Sequence, residues 1–141
     1  YYTQAELKDL VKYAQSKYIT IIPEIELPGH ASAAIAAYPE LGCKDTTASV
    51  ATKWGIFKDI FCPKEETFKF LEDVLAEVTD VFPGKYIHIG GDEAPKDQWK
   101  KSTIAQEVIK NQKLKDEHEL QSYFVQRIQK FLNSKGKSII G

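Results

Sequence analysis

Helical patterns and short β-branched segments alternate along the whole chain of 141 residues. The first helix begins with a capping box, in which Thr3 is followed three residues later by Glu6. Short strands that alternate with helices pair in parallel through right-handed crossovers. The three main predicted helices cover residues 3–17, 63–82 and 116–135, and the predicted strands that follow them cover residues 18–26, 85–89 and 137–140. The sequence therefore predicts an α/β fold with about three parallel strands and flanking helices.

The segments between these elements are shorter or irregular. We expect a short helix at residues 31–37, a polar loop at 94–100 that contains Trp99, and a helical stretch at about 102–111. Residues 40–62 show no steady period and predict a long loop, a kind of segment that is often functional in compact domains. Because no internal repeat or linker interrupts the chain, we predict a single domain over residues 1–141.

The composition is that of an ordinary globular domain and excludes several classes of protein. Nineteen basic residues against twenty acidic ones give a net charge of −1. Without an excess of positive charge, nucleic acid is not expected as a partner. No apolar run reaches roughly 18 residues, so no membrane span is predicted. No targeting segment is visible either.

The two ends of the chain are unusual for a complete protein. The chain starts at Tyr1, contains no methionine, and stops at Gly141 just after the apolar pair Ile139 and Ile140. We interpret both ends as cut ends. The alternative is a natural domain released by processing.

Charged and titratable residues lie at the ends of the first two predicted strands. The first strand runs into Glu24-Ile25-Glu26-Leu27-Pro28-Gly29-His30, and the second into His88-Ile89-Gly90-Gly91-Asp92-Glu93. Parallel α/β folds place their active sites at the carboxyl ends of the strands. A purely structural strand would end in turn residues instead, so the two segments together predict a functional site.

Side-chain alternation places Glu24, Glu26 and His88 on the inner face of the strands. Carboxylates are rarely buried unless they are paired, so these residues indicate a polar network. For either glutamate, a salt bridge to Lys or Arg inside the fold is the structural alternative. For Glu24 both interpretations stay open, whereas Glu26, nearer the strand end, favours a functional one.

Asp92 and Glu93 are adjacent carboxylates that follow two glycines. Glycines allow a sharp turn and the close approach of a ligand, and adjacent acids can take separate roles in one pocket. A solvated acidic turn is the alternative. His30 is expected to orient or charge a carboxylate, whereas His88 could serve only as a hydrogen-bonding group within the fold. We place His118 on the surface of the last helix.

A metal site is the rival chemistry at these strand ends. Imidazole nitrogens of His30 and His88 and oxygens of Asp92 and Glu93 could serve as ligands. No HxH or HExxH spacing is present, however. We therefore predict neither a metal nor a cofactor.

The two strand ends resemble a known family. IHIGGDE at residues 87–93 and EIELPGH at residues 24–30 are similar to two motifs of the retaining, exo-acting β-N-acetylhexosaminidases. The resemblance implies that the chain is part of a (β/α)8 barrel, from the helix before the third strand to the start of the fifth. Residues 1–141 would then form one partial catalytic domain, with no second domain.

The resemblance also implies an activity: removal of terminal β-linked N-acetylglucosamine or N-acetylgalactosamine from glycans or chitooligosaccharides. In this family the carbonyl oxygen of the substrate's own acetamido group attacks the anomeric carbon and gives an oxazolinium intermediate. Glu93 would be the general acid and base, Asp92 would orient the acetamido group, and His30 would support Glu93. His88 and Glu26 would line the inner wall, although many relatives have Asp at the position of Glu26.

The same resemblance implies that part of the sugar site lies outside these residues. An arginine that grips sugar hydroxyls comes earlier in the family, and the tryptophans of the acetamido pocket come later. The isolated chain is therefore expected to be inactive. A metal-dependent hydrolase on the same barrel and a non-catalytic carbohydrate-binding domain are the alternatives.

Cys43 and Cys62 bracket the long predicted loop. A bond between them would close a loop of about 20 residues and contribute about 3 kcal/mol by the chain-entropy estimate. Because enzymes of the family are often exported, we expect a periplasmic or secreted parent protein and favour the disulfide over two free thiols.

Overall fold

The computed structural model describes residues 1–43 and 49–141 as six helices, a short 3-10 turn and two strands. The helices are α1 (Gln4–Ser16), α2 (Ser32–Ala37), α3 (Glu65–Val81), α4 (Asp97–Lys101), α5 (Thr103–Asn111) and α6 (Glu117–Ser134), the turn is Pro39–Leu41, and the strands are β1 (Tyr86–His88) and β2 (Ser138–Ile140). None of the helices within these ranges is long and apolar enough to cross a bilayer.

β1 lies between two parallel neighbours. On one side it pairs with β2, with Ile87 opposite Ile139. On the other side it bonds to the extended segment 23–27, where the amides of Ile25 and Leu27 donate to the carbonyls of His88 and Ile89, each at 2.9 Å. The predicted arrangement of three parallel extended segments is therefore present, although only two of them are full strands.

The first predicted strand is shorter than expected, and its start at residue 18 is wrong. The amides of Tyr18 and Ile19 bond back to the carbonyls of Gln15 and Ala14, at 2.9 and 3.0 Å, so this part of the chain still closes the end of α1. Ile19 is 58% exposed, and pairing with β1 begins at Pro23. The β-branched pattern was outweighed here by the turn that ends the helix.

The three main helices begin at the predicted positions, except for α3. The capping box of Thr3 and Glu6 is present at the start of α1, and Asp116 caps α6 through the amides of His118 and Glu119. α3 begins at Glu65 rather than at Pro63, because Lys64 has the extended backbone of an N-cap residue.

α3 and α6 pack together and cover the strands with their apolar faces. Ile87 of β1 and Ile89 just after it are at most 1% exposed, and the two helices contribute a row of fully buried side chains. That row consists of Phe68, Leu71, Leu75, Leu120, Phe124, Ile128 and Leu132. The core thus lies on the outer side of the strands and leaves their carboxyl ends open.

Trp99 belongs to this core, so the predicted polar loop at 94–100 is wrong in its second half. Trp99 lies in α4, is fully buried, and its indole Nε1 donates to the carbonyl of Phe61 at 2.9 Å. A tryptophan can be buried in this way because its one polar atom has a partner. Because its neighbours along the chain are polar, the sequence pattern did not identify Trp99 as a core residue.

The expected disulfide between Cys43 and Cys62 is present. An antiparallel bridge between Gly42 and Phe61 lies directly beside it, so the two ends of the predicted loop 40–62 are held together. Residues 44–48 of that loop lie outside the described residues.

Loss of this disulfide should destabilise the protein. The bond joins residues separated by 19 positions, and the chain-entropy estimate for such a loop is about 3 kcal/mol. We expect Cys43→Ala/Cys62→Ala to lower the free energy of unfolding by about this amount, measured by urea denaturation under oxidising conditions. Reductant should weaken the native protein but not the double variant. Equal unfolding curves for all samples would contradict the prediction.

Candidate active site

The two predicted strand ends meet in space. Nε2 of His30 lies 3.3 Å from Oε2 of Glu93, and both side chains are partly exposed. Both residues have left-handed backbones, with φ angles of 51° and 47°. A Cβ atom on Gly29 would lie 3.3 Å from the carbonyl oxygens of Asp92 and Glu93, so the two loops are in close contact. The tight packing fixes the imidazole beside the carboxylate.

Gly90 makes room for the side chain of Glu26. Its φ of 63° is in the left-handed region, and a Cβ at this position would overlap Oε2 of Glu26. Two separate requirements, backbone conformation and space, therefore favour glycine at this position. The glycine pair at residues 90–91 supports the site by letting the carboxyl of Glu26 lie directly over the backbone.

Gly90→Ala should lower the free energy of unfolding by more than the cost of placing alanine in a left-handed backbone. Gly136 provides a matched control, because its φ is 74° and a Cβ there meets nothing within 4 Å. We expect Gly136→Ala to cost roughly 1–2 kcal/mol. Gly90→Ala should cost clearly more, and adding Glu26→Ala should recover part of the difference in urea denaturation. Equal losses for the two alanine variants would show that the overlap with Glu26 is relieved without cost.

Glu24 pairs with His88 rather than with a basic side chain. Nδ1 of His88 lies 3.0 Å from Oε1 of Glu24 and 3.0 Å from the amide nitrogen of Gly90. This nitrogen satisfies one partner at a time: without a proton it accepts from Gly90, and with a proton it donates to Glu24. Among the described residues, neither Glu24 nor Glu26 forms a salt bridge with Lys or Arg.

Glu26 is close enough to feel the charges of Glu24, His30, His88 and Asp92. Its Oε2 is buried and has no hydrogen-bond partner in the described part of the chain. Burial is the main cause that raises the pKa of Glu26 above its usual value, and the nearby charge of Asp92 raises it further, while His30 opposes both effects. A carboxyl at this place on the inner wall is therefore harder to ionise than one in water.

Asp92 completes the group at the mouth of the site. Potential ligand atoms of His30, Asp92 and Glu93 all lie within 4.8 Å of one another, and all three residues are exposed. Asp92 also borders an open cavity of about 580 Å³ that reaches Gln121 and Gly141. Of the three residues, Asp92 is the one that lines this cavity, and most of the remaining lining consists of glycines and apolar side chains. His118 lies apart on the exposed surface of α6, as expected.

The sequence did not predict two polar residues that form hydrogen bonds to the backbone on either side of Asp92 and Glu93. Nε2 of Gln121 donates to the carbonyl of Gly91 at 2.6 Å, and Lys96 donates to Oε1 of Gln121. Nζ of Lys96 also donates to the carbonyl of Ala94 at 2.5 Å. Lys96 and Gln121 are 25 positions apart, so no local spacing could have identified the pair.

This arrangement can transfer a proton and hold a positive charge in one pocket. A carboxyl beside an imidazole, as in Glu93 and His30, can donate a proton to a leaving oxygen and later accept one. The neighbouring carboxylate of Asp92 can accept a hydrogen bond from an N–H group and stabilise positive charge on it. The same three residues could also bind a divalent cation.

Comparison with known proteins places this geometry in context. The model of glycosyl hydrolase family 20, catalytic domain, matches residues 1–141. A β-hexosaminidase of Porphyromonas gingivalis is 49% identical over 142 residues, which cover 100% of this chain and 18% of that protein. A β-hexosaminidase of Akkermansia muciniphila is 40% identical over 139 residues, which cover 97% of this chain and 28% of that protein. The chain thus spans less than a third of the length of these relatives.

Solved structures agree with the sequence relatives. A β-N-acetylhexosaminidase crystal structure superposes with a TM-score of 0.94 at 39% identity, covering 98% of this chain and 30% of that one. A chitobiase of Flavobacterium johnsoniae gives a TM-score of 0.93 at 43% identity, covering 99% of this chain and 21% of that one. The predicted fold class, part of a (β/α)8 barrel, is confirmed by these similarities.

Proposed function

The chain belongs to glycosyl hydrolase family 20, and from this premise we propose that the whole protein is a β-N-acetylhexosaminidase. Its substrate would be a glycan or chitooligosaccharide that ends in β-linked N-acetylglucosamine or N-acetylgalactosamine. Residues 1–141 would be one part of a single catalytic domain, since the family model matches this entire range.

The observation that carries the proposal is the pairing of His30 with Glu93 beside Asp92. The imidazole lies 3.3 Å from the Glu93 carboxyl at the carboxyl ends of the strands. An exo-glycosidase that lacks an enzyme nucleophile needs one acid for the leaving oxygen and one group for the acetamido nitrogen. Glu93 and Asp92 are adjacent residues whose side chains can serve these two roles.

In the first step the acetamido carbonyl oxygen of the substrate attacks the anomeric carbon. The bond to the leaving oxygen breaks, and that oxygen takes the proton of Glu93. Positive charge develops on the acetamido nitrogen, where the Asp92 carboxylate stabilises it and accepts a hydrogen bond from the N–H group. The product of this step is an oxazolinium ion, and the anomeric configuration is inverted once.

In the second step Glu93, now ionised, removes a proton from water. The water attacks the anomeric carbon from the side that the leaving group vacated, and the acetamido group is restored. Two inversions give overall retention. His30 supports Glu93 in both protonation states, whereas Glu26 and His88 line the wall beneath the sugar and hold the strand ends together.

Turnover of matched substrates tests the proposal. The whole protein should hydrolyse a nitrophenyl β-N-acetylglucosaminide and leave the nitrophenyl β-glucoside, which lacks the acetamido group, almost untouched. Hydrolysis of both at equal rates would contradict the assigned mechanism. Binding of the acetamido sugar without turnover would favour a carbohydrate-binding domain instead.

A metal-dependent hydrolase is the second candidate, because His30, Asp92 and Glu93 could together hold a cation. In that case Glu93 would be a ligand and the metal would activate water. Dialysis against a chelator separates the two candidates. The glycosidase proposal predicts unchanged turnover, whereas a metal enzyme would lose activity and regain it when a divalent cation is added.

A further inference from the structure

Gln121 and Lys96 fasten both ends of the segment that carries the two acids. Gln121 on α6 donates from Nε2 to the carbonyl of Gly91, the residue before Asp92. Lys96 donates to the carbonyl of Ala94, the residue after Glu93, and also to Oε1 of Gln121. We propose that this Lys96–Gln121 clamp is a positioning device for catalysis, which fixes where the carboxyl of Glu93 points.

Residues 91–94, which carry the two acids, need these hydrogen bonds because two of them have positive φ angles. Gly91 has a φ of 102° and Glu93 a φ of 47°. A non-glycine residue in the left-handed region costs free energy and persists only where its surroundings determine it. The chain between the two fastened carbonyls contains this strained residue, so the hydrogen bonds act where the backbone would otherwise relax.

Both members of the clamp are themselves held in place. Gln121 follows Leu120 in α6, and the fully buried side chain of Leu120 fixes this part of the helix against the core. The ammonium of Lys96 lies 5.9 Å from the centre of the Trp99 ring, and Trp99 is fully buried. The clamp therefore connects residues 91–94 to the packed core. Contacts of this kind hold a catalytic group in a fixed position.

The two hydrogen-bond partners found for Lys96 are neutral. The structure gives Lys96 no salt bridge within residues 1–43 and 49–141, and both of its acceptors are amide oxygens. Burial lowers the pKa of Lys96 from its usual value. The clamp thus acts through geometry, and we expect it to change proton transfer by moving Glu93 rather than by adding a charge partner to it.

This inference rests on the proposed function, and it predicts a specific kinetic pattern in the whole enzyme. Gln121→Glu keeps an acceptor for Lys96 but removes the donor to Gly91. Lys96→Met keeps the alkyl stem over Trp99 but removes both hydrogen bonds. For an alkyl or other poor leaving group, kcat/KM should fall by about 10- to 100-fold, the order expected for a misplaced catalytic group.

The dependence on leaving group separates positioning from lost stability. A dinitrophenyl leaving group departs with little help from an acid, so its kcat/KM should fall much less than that of the poor leaving group. A variant that merely folds less well loses the same fraction of activity on both substrates. The ratio of the two losses, at a temperature where circular dichroism shows the variants folded, is the decisive readout.

Two matched controls exist within the chain. Gln106 donates from Nε2 to the carbonyl of Trp99 and to Oε1 of Glu117, each at 3.0 Å, and so does not bond to the segment that carries Asp92 and Glu93. Lys137 donates to the carbonyls of Phe82 and Gly84 at the opposite ends of the strands. Gln106→Glu and Lys137→Met remove comparable hydrogen bonds, and they should reduce stability without changing the ratio between leaving groups.

The outcomes are distinguishable from those of the proposed function. If the native enzyme does not hydrolyse acetamido sugars, the proposed function fails. If it does, and Lys96→Met and Gln121→Glu show a selective loss on the poor leaving group, the clamp is supported. Equal losses on both substrates, or full activity in either folded variant, would overturn it. Should Gln121→Glu fail to fold, Lys96→Met decides the question alone.

Discussion

Glu93→Gln in the whole protein should lower kcat/KM for substrates with poor leaving groups by about 100- to 10,000-fold, the range that a positioned general acid contributes. The amide of glutamine occupies nearly the same space but cannot give up a proton. Activated substrates should lose less in kcat/KM, because a dinitrophenolate leaves without protonation. Their kcat should still fall, since water attack in the second step lacks its base. Steady-state kinetics on both substrate types measures these losses.

An anionic nucleophile tests the second role of Glu93. Azide needs no base, so it should restore turnover of the activated substrate by Glu93→Gln and give a β-glycosyl azide. Glu65→Gln is the matched control, because Glu65 pairs with Arg127 at 2.8 Å instead of with a residue of the candidate site, and its loss should leave kinetics unchanged. Equal losses on all leaving groups, with no response to azide, would remove Glu93 from the acid–base role.

Asp92→Asn should lower kcat/KM by about 100- to 1,000-fold, the usual effect of removing one stabilising group from a developing charge. The asparagine oxygen can still accept a hydrogen bond from the acetamido N–H. It carries no negative charge, however, so the positive charge on the nitrogen of the oxazolinium ion is no longer balanced. Because the first step is affected whichever group leaves, good and poor leaving groups should suffer alike.

Azide distinguishes this variant from Glu93→Gln, since it cannot restore a step that precedes the intermediate. Asp116→Asn is the control, because Asp116 caps α6 and asparagine is an equally good N-cap residue. If Asp92→Asn retained the native rate, or if azide rescued it, Asp92 would not hold the acetamido group. The different responses of two adjacent residues are the main kinetic prediction of the proposed mechanism.

The sequence predicted the elements whose determinants are local. Thr3 and Glu6 define the start of α1, and the apolar stripe from Leu120 to Leu132 defines the buried face of α6. The sequence-based prediction was wrong where contacts between residues distant in the chain determine the structure. The residues at 18–22 look like a strand but belong partly to the end of α1, and Trp99 has polar neighbours along the chain although it lies in the core.

The candidate site was predictable for a related reason. Strand ends in a parallel α/β fold must lie at one edge, so Glu26, His30, Asp92 and Glu93 could be grouped before their distances were known. The partner of His88 could not be predicted, because strand register decides that Glu24 lies opposite it. The Lys96–Gln121 clamp was equally hidden, since its members contact the backbone of the loop rather than other titratable groups.

The most direct test of the central claim is the rate of hydrolysis across a series of substrates whose acetyl group carries none, one, two or three fluorine atoms. Fluorine makes the carbonyl oxygen a weaker nucleophile while changing the size of the group little. If the acetamido group attacks the anomeric carbon, as we propose, kcat/KM of the whole protein should fall steeply with each fluorine. A flat series would contradict substrate assistance and require an enzyme nucleophile or a metal-activated water.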